Sequence, residues 1–258
     1  MANITLLSDL GVQDAAAGIV KGMLYSWVPD ARITDISHEV TPFDTVQAAY
    51  VLGSAYSSFP KDTVHVVLVD IFAEADTLLL LAVYDGHYFL VPDNGILQMA
   101  LGDSGVETWV CPIVSGEHPY DAWMATVAGI INGLSTMSPA QLRLRPLAIE
   151  PVPPAEAAVA GPEVLCRILH IDKFGNVVTD MTRDRFDMLN HSGNFSITIG
   201  GDTIRKVSNY YTDAIKGDPL CRFNRRGYLE ICVNKGDASA VLGLRIGGIP
   251  NDIKIIFE

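Results

Sequence analysis

The chain has 258 residues, enough for one large or two modest domains. It is 49% hydrophobic and 19% charged, a balance that supports a sizeable core and excludes a disordered chain. A formal net charge of -12 excludes a general nucleic-acid or anionic-membrane surface, because both partners would be repelled, but leaves room for a small cationic ligand.

The first residues, MANITLLSDLG, lack the basic start, long apolar segment and small-residue cleavage site of a signal peptide, and no apolar run is long enough to span a bilayer. A soluble cytoplasmic protein is expected. NITLLSD reads as a strand, DAAAGIVKGMLYSWV as a helix stopped by Pro29, and ARITDIS as a second strand. DTVQAAYVLGSAYSSF reads as a second helix with Asp44 as its N-cap, and TVHVVLVD as a third strand. This alternation predicts a mostly parallel, helix-covered sheet. LLLLAVYDGHYFLVP looks like two strands around a turn at Asp85-Gly86, and DAWMATVAGIINGLS like another helix. The prolines and alanines of 151–162 suggest an extended connector between an α/β domain, 1–150, and a domain at 163–258. The latter holds mostly short strands, VLCRILHID, NFSITIGG, TIRKVSNYY, YLEICVN and IKIIFE, and reads as a small all-β barrel or sandwich. The four cysteines, Cys111, Cys166, Cys221 and Cys232, form no close pair of the zinc-site type, and scattered buried thiols are expected.

Several polar residues sit where chemistry is possible. Asp9 ends the first strand, and a carboxylate there can accept two hydrogen bonds from a ribose diol; Asp14 precedes the first helix and serves equally as an N-cap. Asp70 lies where the third strand meets its loop. The stretch VPDNG, with Asn94, is by itself a turn signal. In HIDKFGNVVTD, Asp172, Phe174 and Asn176 share one short turn, where a ring can stack on a base and an amide can read its edge; an ordinary Asp/Gly/Asn turn explains them as well. Arg225 and Arg226 precede a strand, either as a solvated turn or as a clamp for a carboxylate.

Taken together, SDLG, KGMLYSWVPDARITDISHEVTPFD, FPKDTVHVVLVD, FLVPDNGIL, IDKFGNVVTD and GYLEICVNKGDASAVLGL resemble the S-adenosylmethionine hydroxide adenosyltransferase family, whose fold the fluorinases and chlorinases share. The resemblance runs in order through nearly the whole chain. It implies an N-terminal α/β domain, a C-terminal β-barrel, and a homotrimer that binds S-adenosylmethionine between the N-domain of one subunit and the C-domain of its neighbour. It further implies attack on ribose C5′, by water or hydroxide in the hydrolytic members and by halide in the halogenases, with neither metal nor cofactor. Carried over by residue, Asp9 would hold the ribose hydroxyls, Asp14 and Asp172 the methionine ammonium, and Phe43 the ribose or adenine. Asn94 would line the substrate site, Phe174 and Asn176 would contact the adenine, and Arg225 and Arg226 the methionine end. Asp70 and His118 would be catalytic.

The sequence departs from the hydrolytic pattern after Asp70. Where those members have Pro-Gly-Val-Gly and then an arginine, this chain reads Ile71-Phe72-Ala73-Glu74-Ala75-Asp76, with Thr77 in the arginine's place. The family's Phe-His-Gly-Arg-Asp corresponds to GEHPYDAW, so Pro119-Tyr120 replace Gly-Arg beside His118. Three functions are therefore weighed: a hydrolase with an altered nucleophile site, a module that binds adenosine or S-adenosylmethionine without turnover, and, ranked last, a halogenase.

Overall fold

A computed structural model gives the fold and describes residues 2–74, 77–102, 105–116, 118–150, 158–160, 163–199, 201–246 and 253–258. Two compact units divide the chain, Met1–Val152 and Pro153–Glu258.

The first unit runs β1 (Asn3–Ser8), α1 (Ala16–Trp27), β2 (Arg32–Ser37), α2 (Thr45–Ala55), β3 (Val64–Leu68), β4 (Leu79–Tyr84), β5 (His87–Pro92), α3 (Ile96–Leu101), β6 (Glu107–Cys111), α4 (Pro119–Leu134) and β7 (Arg145–Pro146). Among the described residues its strands form one sheet in the order β2-β1-β3-β5-β4-β6-β7. The apolar runs of β1, β3 and β4 are buried on both faces. Ile4, Leu6, Val64, Val66, Leu79 and Leu81 point to a core shared with α1 and α4. Leu7, Val67, Leu80 and Ala82 alternate with them and face α2 and α3. Period-2 alternation between two apolar layers explains why these strands read as continuous hydrophobic stretches. Local signals behave as the sequence suggested: Asp44 caps α2 by accepting the Gln47 N–H at 2.8 Å, and Asp85 and Gly86 both take left-handed backbone between β4 and β5.

The sheet is mixed rather than mostly parallel. β2, β1, β3 and β5 run parallel, but β5 pairs antiparallel with β4, β4 with β6, and β6 with β7. The reason is the link from β3 to β4, which holds no helix among its described residues: without a crossover the chain turns back, so β4 runs opposite to β3. A functional consequence follows from this topology. The segments after β1, β2, β3, β5 and β6 all emerge at one edge of the sheet, the carboxyl edge of its parallel half. That edge is where open α/β sheets bind ligands.

The second unit contains β8 (Ala158–Ala160), β9 (Glu163–Cys166), β10 (Ile168–Ile171), β11 (Val177–Thr182), α5 (Arg183–Leu189), β12 (Phe195–Ile199), β13 (Asp202–Ile204), β14 (Pro219–Phe223), β15 (Tyr228–Val233), α6 (Ala238–Val241) and β16 (Ile253–Phe257). Its strands make two antiparallel sheets, β10-β11-β15-β14 and β13-β12-β16-β9-β8, among the described residues. Both contribute to one core built on Val177, Met181, Phe195, Ile197, Cys221, Leu229, Ile231 and Ile255, with Phe186 of α5 among them. Antiparallel sheets dominate as expected, with the short helices α5 and α6 added to them; barrel closure is not among the pairings of the described residues. Of the expected connector at 151–162, residues 151–157 and 161–162 lie outside the described residues, and Ala158–Ala160 pair with β9 as β8.

Candidate active site

Asp9 is the hinge of the carboxyl edge. It directly follows β1, and its Oδ2 accepts the backbone N–H of Phe43 at 3.0 Å and of Asp70 at 3.4 Å. One carboxylate thus ties together the loops after β1, β2 and β3. The two residues it holds share a further property: Asp70 has φ +49° and Phe43 φ +66°, both in the left-handed region that L-residues rarely occupy. Asn94, just after β5, holds Asp70 from the other side, its Nδ2 donating to the carbonyls of Val69 at 3.1 Å and Asp70 at 3.4 Å. The strained backbone of Asp70 is therefore fixed at both its N–H and its C=O, the kind of over-determination under which strain persists at functional sites.

Asp70 lines an open cleft of about 610 Å³, together with Phe43, Thr45, Glu74, Thr77, Asp93 and Asn94. Asp70, Glu74 and Asp93 make this wall acidic, and no Lys or Arg lines it among the described residues. Burial pushes the Asp93 carboxyl above its ordinary value. Thr77, the residue in the arginine's place, turns inward on its own loop: its hydroxyl accepts the Glu74 N–H at 2.9 Å and donates to the Glu74 carbonyl at 2.9 Å. Asp14 lines a second, adjoining cleft with Asp9, Gln13, His38 and Glu39. Asp14 is one position short of the cap expected of it. Ala15 is the N-cap of α1, and Asp14 Oδ1 accepts the Ala16 N–H at 2.9 Å.

His118 stands at the same edge as the exposed N-cap residue of α4, and among the described residues no hydrogen bond joins it to Asp70. The second turn of α4 does reach the loop after Asp70, where the rings of Trp123 and Phe72 meet edge to face at 6.2 Å. Tyr120, on the first turn of α4, was not anticipated as a site residue. Its hydroxyl is buried with no hydrogen-bond partner among the described residues. Burial, with the charges of Asp9 and Asp121, pushes it up to about 12, so it stays protonated as a donor. The legible signal was its place in the altered family motif.

In the second unit, Asp172 is committed to its own turn. Its Oδ1 accepts the N–H groups of Phe174 and Asn176, both at 2.9 Å, and its Oδ2 accepts the Asn176 side-chain N–H at 2.9 Å. Gly175, at φ +81°, is required there, because an added Cβ would overlap Asp237. Asn176 is buried, while Phe174 is 78% exposed, an aromatic ring presented without cover. A partly buried polar network unseen in the sequence supports Asn176. Its Nδ2 lies 3.4 Å from the Tyr211 hydroxyl, which lies 3.4 Å from Glu230 Oε1. Arg222 completes the network, with Nε 3.4 Å from Glu230 and its guanidinium 4.9 Å above the Tyr211 ring. Burial raises Glu230, and Arg222 partly offsets this. Glu230 interrupts the apolar run of β15, which was the available clue. Arg225 and Arg226 occupy the β14–β15 turn, with Arg226 5.7 Å above the Tyr228 ring. Since Tyr228 pairs with Thr182 and Val177 with Ile231, the two arginines and the Asn176 turn sit at opposite ends of the β11–β15 ladder. The expected adenine and methionine contacts are thus separated along one strand pair, with Asp172 at the adenine end.

Among the described residues no group of three or more His, Cys, Asp or Glu side chains is placed to hold a metal ion. No described helix is long and apolar enough to cross a membrane.

Comparison with known proteins matches residues 4–128 to the SAM hydroxide adenosyltransferase N-terminal domain and residues 166–249 to the C-terminal domain of that family. The chain is 28% identical to the (R)-S-adenosyl-L-methionine hydrolase of Methanocaldococcus jannaschii, over 93% of this chain and 92% of that protein. It is 28% identical to the enzyme of the same name from Thermus thermophilus, over 96% and 98%. A fluorinase from an Actinoplanes species is 22% identical over 95% of each chain. Among solved structures, a conserved protein of Thermotoga maritima superposes with a TM-score of 0.80 at 28% identity, covering 98% of this chain and 99% of that one.

Proposed function

Because the chain belongs to the SAM hydroxide adenosyltransferase family, we propose that it hydrolyses S-adenosylmethionine to adenosine and methionine. The observation that carries this reading is the Asp70 carboxylate, set on a strained backbone held at its N–H and C=O, in the lining of an acidic cleft. Such a cleft suits a ligand bearing a sulfonium and an ammonium. In this mechanism a water oxygen attacks ribose C5′ as Asp70 takes its proton, and the C5′–S electron pair leaves with sulfur as the thioether of methionine. The sulfonium is its own leaving group, so neither metal nor cofactor enters the step. Asp9 Oδ2 is occupied by two backbone N–H groups, which leaves Oδ1 for the ribose hydroxyls. Phe43 and Phe174, 73% and 78% exposed, offer faces to the nucleoside. Asn176, oriented by Asp172, reads the adenine edge. Asp14 faces the ammonium, Arg225 and Arg226 the methionine carboxylate, and His118 lends a second polar group near the attacking water.

On the family pattern, the second unit is the expected β-barrel, and a homotrimer brings it from a neighbouring subunit to the first unit's edge. Exposed rings on both units support that reading. A reducing cytoplasm suits four buried cysteines held as thiols rather than disulfides.

A second reading, ligand binding without turnover, is favoured by the lack of any Lys or Arg among the described residues lining the Asp70 cleft. One experiment separates the two. S-adenosylmethionine is incubated with the parent and with Asp70→Asn, adenosine is followed by chromatography, and binding is measured by calorimetry on the same samples. Hydrolysis predicts release by the parent and a loss on the order of 10²–10⁴-fold in the variant, with binding kept. Equal release from both removes Asp70 from the mechanism. Binding without release by the parent establishes the second reading.

A further inference from the structure

A hydrogen-bonded chain that the reaction does not itself use runs into the base of the site. Ser8, fully buried at the end of β1, places its Oγ 2.7 Å from His38 Nδ1. The same Oγ accepts the Leu10 N–H at 3.3 Å. Because Nε2 faces the Asp35 carboxylate, the tautomer that carries its proton on Nε2 is the favoured one, and it leaves Nδ1 to accept the Ser8 hydroxyl proton. Nε2 lies 3.2 Å from Asp35 Oδ1, a close electrostatic contact without good hydrogen-bond alignment. Asp35 Oδ2 in turn receives Lys21 Nζ at 2.6 Å. Partial burial would raise the Asp35 carboxyl, but the hydrogen bond from Lys21 and the close approach of His38 outweigh it and hold it below its ordinary value.

What this chain grips is the residue between Ser8 and Leu10, namely Asp9. Two backbone bonds tighten the grip: the Gly11 N–H donates to the His38 carbonyl at 2.7 Å, and the Val40 N–H to the Ser8 carbonyl at 3.4 Å. Ser8 cannot act as a nucleophile, because it has no exposed surface. We propose that His38 is a positioning residue that acts through Ser8 to set the direction of the Asp9 carboxylate, and through it the backbone of Asp70 and Phe43. The arrangement is economical in cause: losing the Nδ1 acceptor leaves a buried hydroxyl unpaired at the foot of the loop that fixes both strained residues.

Two variants isolate the role. His38→Leu keeps bulk and removes the acceptor, whereas His38→Asn puts an amide oxygen where Nδ1 was. Amide hydrogen exchange read by NMR does not depend on catalysis. In His38→Leu, the amides of Leu10, Phe43 and Asp70 should exchange about tenfold faster or more, while those of β11 and β15 stay unchanged. His38→Asn should restore protection, and Ser8→Ala combined with His38→Leu should lose no more than His38→Leu alone. If His38→Leu does not fold, Asp35→Ala at the half-exposed outer end replaces it, with the same amides expected to loosen. Unchanged protection at Phe43 and Asp70 overturns the proposal, and so does full additivity in the double variant. The turnover arm rests on the hydrolase reading: there, His38→Leu should lower kcat more than it raises KM. Should the parent release no adenosine, that reading falls, while the exchange arm still decides the role of His38.

Discussion

At the scale of single residues, Asp70 carries the most argument. A left-handed conformation costs a Cβ-bearing residue about 1–2 kcal/mol, and aspartate endures it better than most. Glycine pays no such cost. The usual order of stability should therefore invert here: Asp70→Gly should unfold at a higher temperature than Asp70→Ala, by about 2–4 °C for a difference of about 1 kcal/mol. Calorimetric melting of the two variants measures it, with adenosine release lost in both, and an alanine variant that melts higher would remove the strain argument. None of this was legible in the chain. Asp9 and Asp70 stand 61 positions apart, and nothing local foretells that the first receives the N–H of the second. The placement of Asp70 at a strand end was legible, from an apolar run closed by a carboxylate. Asp172 illustrates the converse: its motif was plain, yet the structure commits its carboxylate to the turn itself, a use that residue type alone cannot distinguish from ligand binding.

At the scale of elements, β1, β3, β4 and β5 were readable because burial on both faces writes an unbroken apolar run, whereas the short β6 and β7 were not read. The order of the strands was not readable, because periodicity says nothing of which strand of the β4–β5 hairpin docks beside β3. The exceptions inside those runs are informative. Thr5, His65 and His87 form a polar row across β1, β3 and β5, with Thr5 Oγ1 2.7 Å from His65 Nδ1 and His65 Nε2 3.2 Å from His87 Nδ1. Tyr56 and Phe89 enclose the pair, their rings 6.2 Å and 5.0 Å from His65. Burial pushes His65 down to about 3, and His87 beside it adds to the effect. Burial also lowers His87, with Lys61 contributing. An unfolded histidine titrates near 6.5, so below that pH the unfolded chain binds a proton that the folded one refuses. The stability this pair contributes is complete above about pH 6.5 and drains away as the pH falls toward 3, at about 1.4 kcal/mol per pH unit for His65. Melting temperatures between about pH 6 and about pH 4 should fall steeply for the parent and less steeply for His65→Leu. Parallel pH slopes would show that the row does not set the acid limit.

At the scale of the whole molecule, charge is the property that bears on function. The net charge of -12 was read as a bar to nucleic acid and an opening for a cationic ligand. The structure supplies a local counterpart, since Asp70, Glu74 and Asp93 all line one cleft. A diffuse negative field and a focused one make the same demand on the ligand but differ in reach. Charges spread over the surface act through solvent and are screened beyond the Debye length, which falls from about 30 Å at 0.01 M salt to about 3 Å at 1 M. S-adenosylmethionine carries a net positive charge at neutral pH, whereas adenosine carries none. If the acidic balance draws the substrate in, the affinity for S-adenosylmethionine should fall severalfold across that salt range, while the affinity for adenosine stays nearly constant. Titration calorimetry of both ligands at each salt concentration gives the comparison. A loss confined to S-adenosylmethionine assigns the acidic character to substrate capture. Equal curves for the two ligands would mean that the carboxylates serve only the reaction and the loops, and that affinity comes from the nucleoside, through Asp9, Phe43, Phe174 and Asn176.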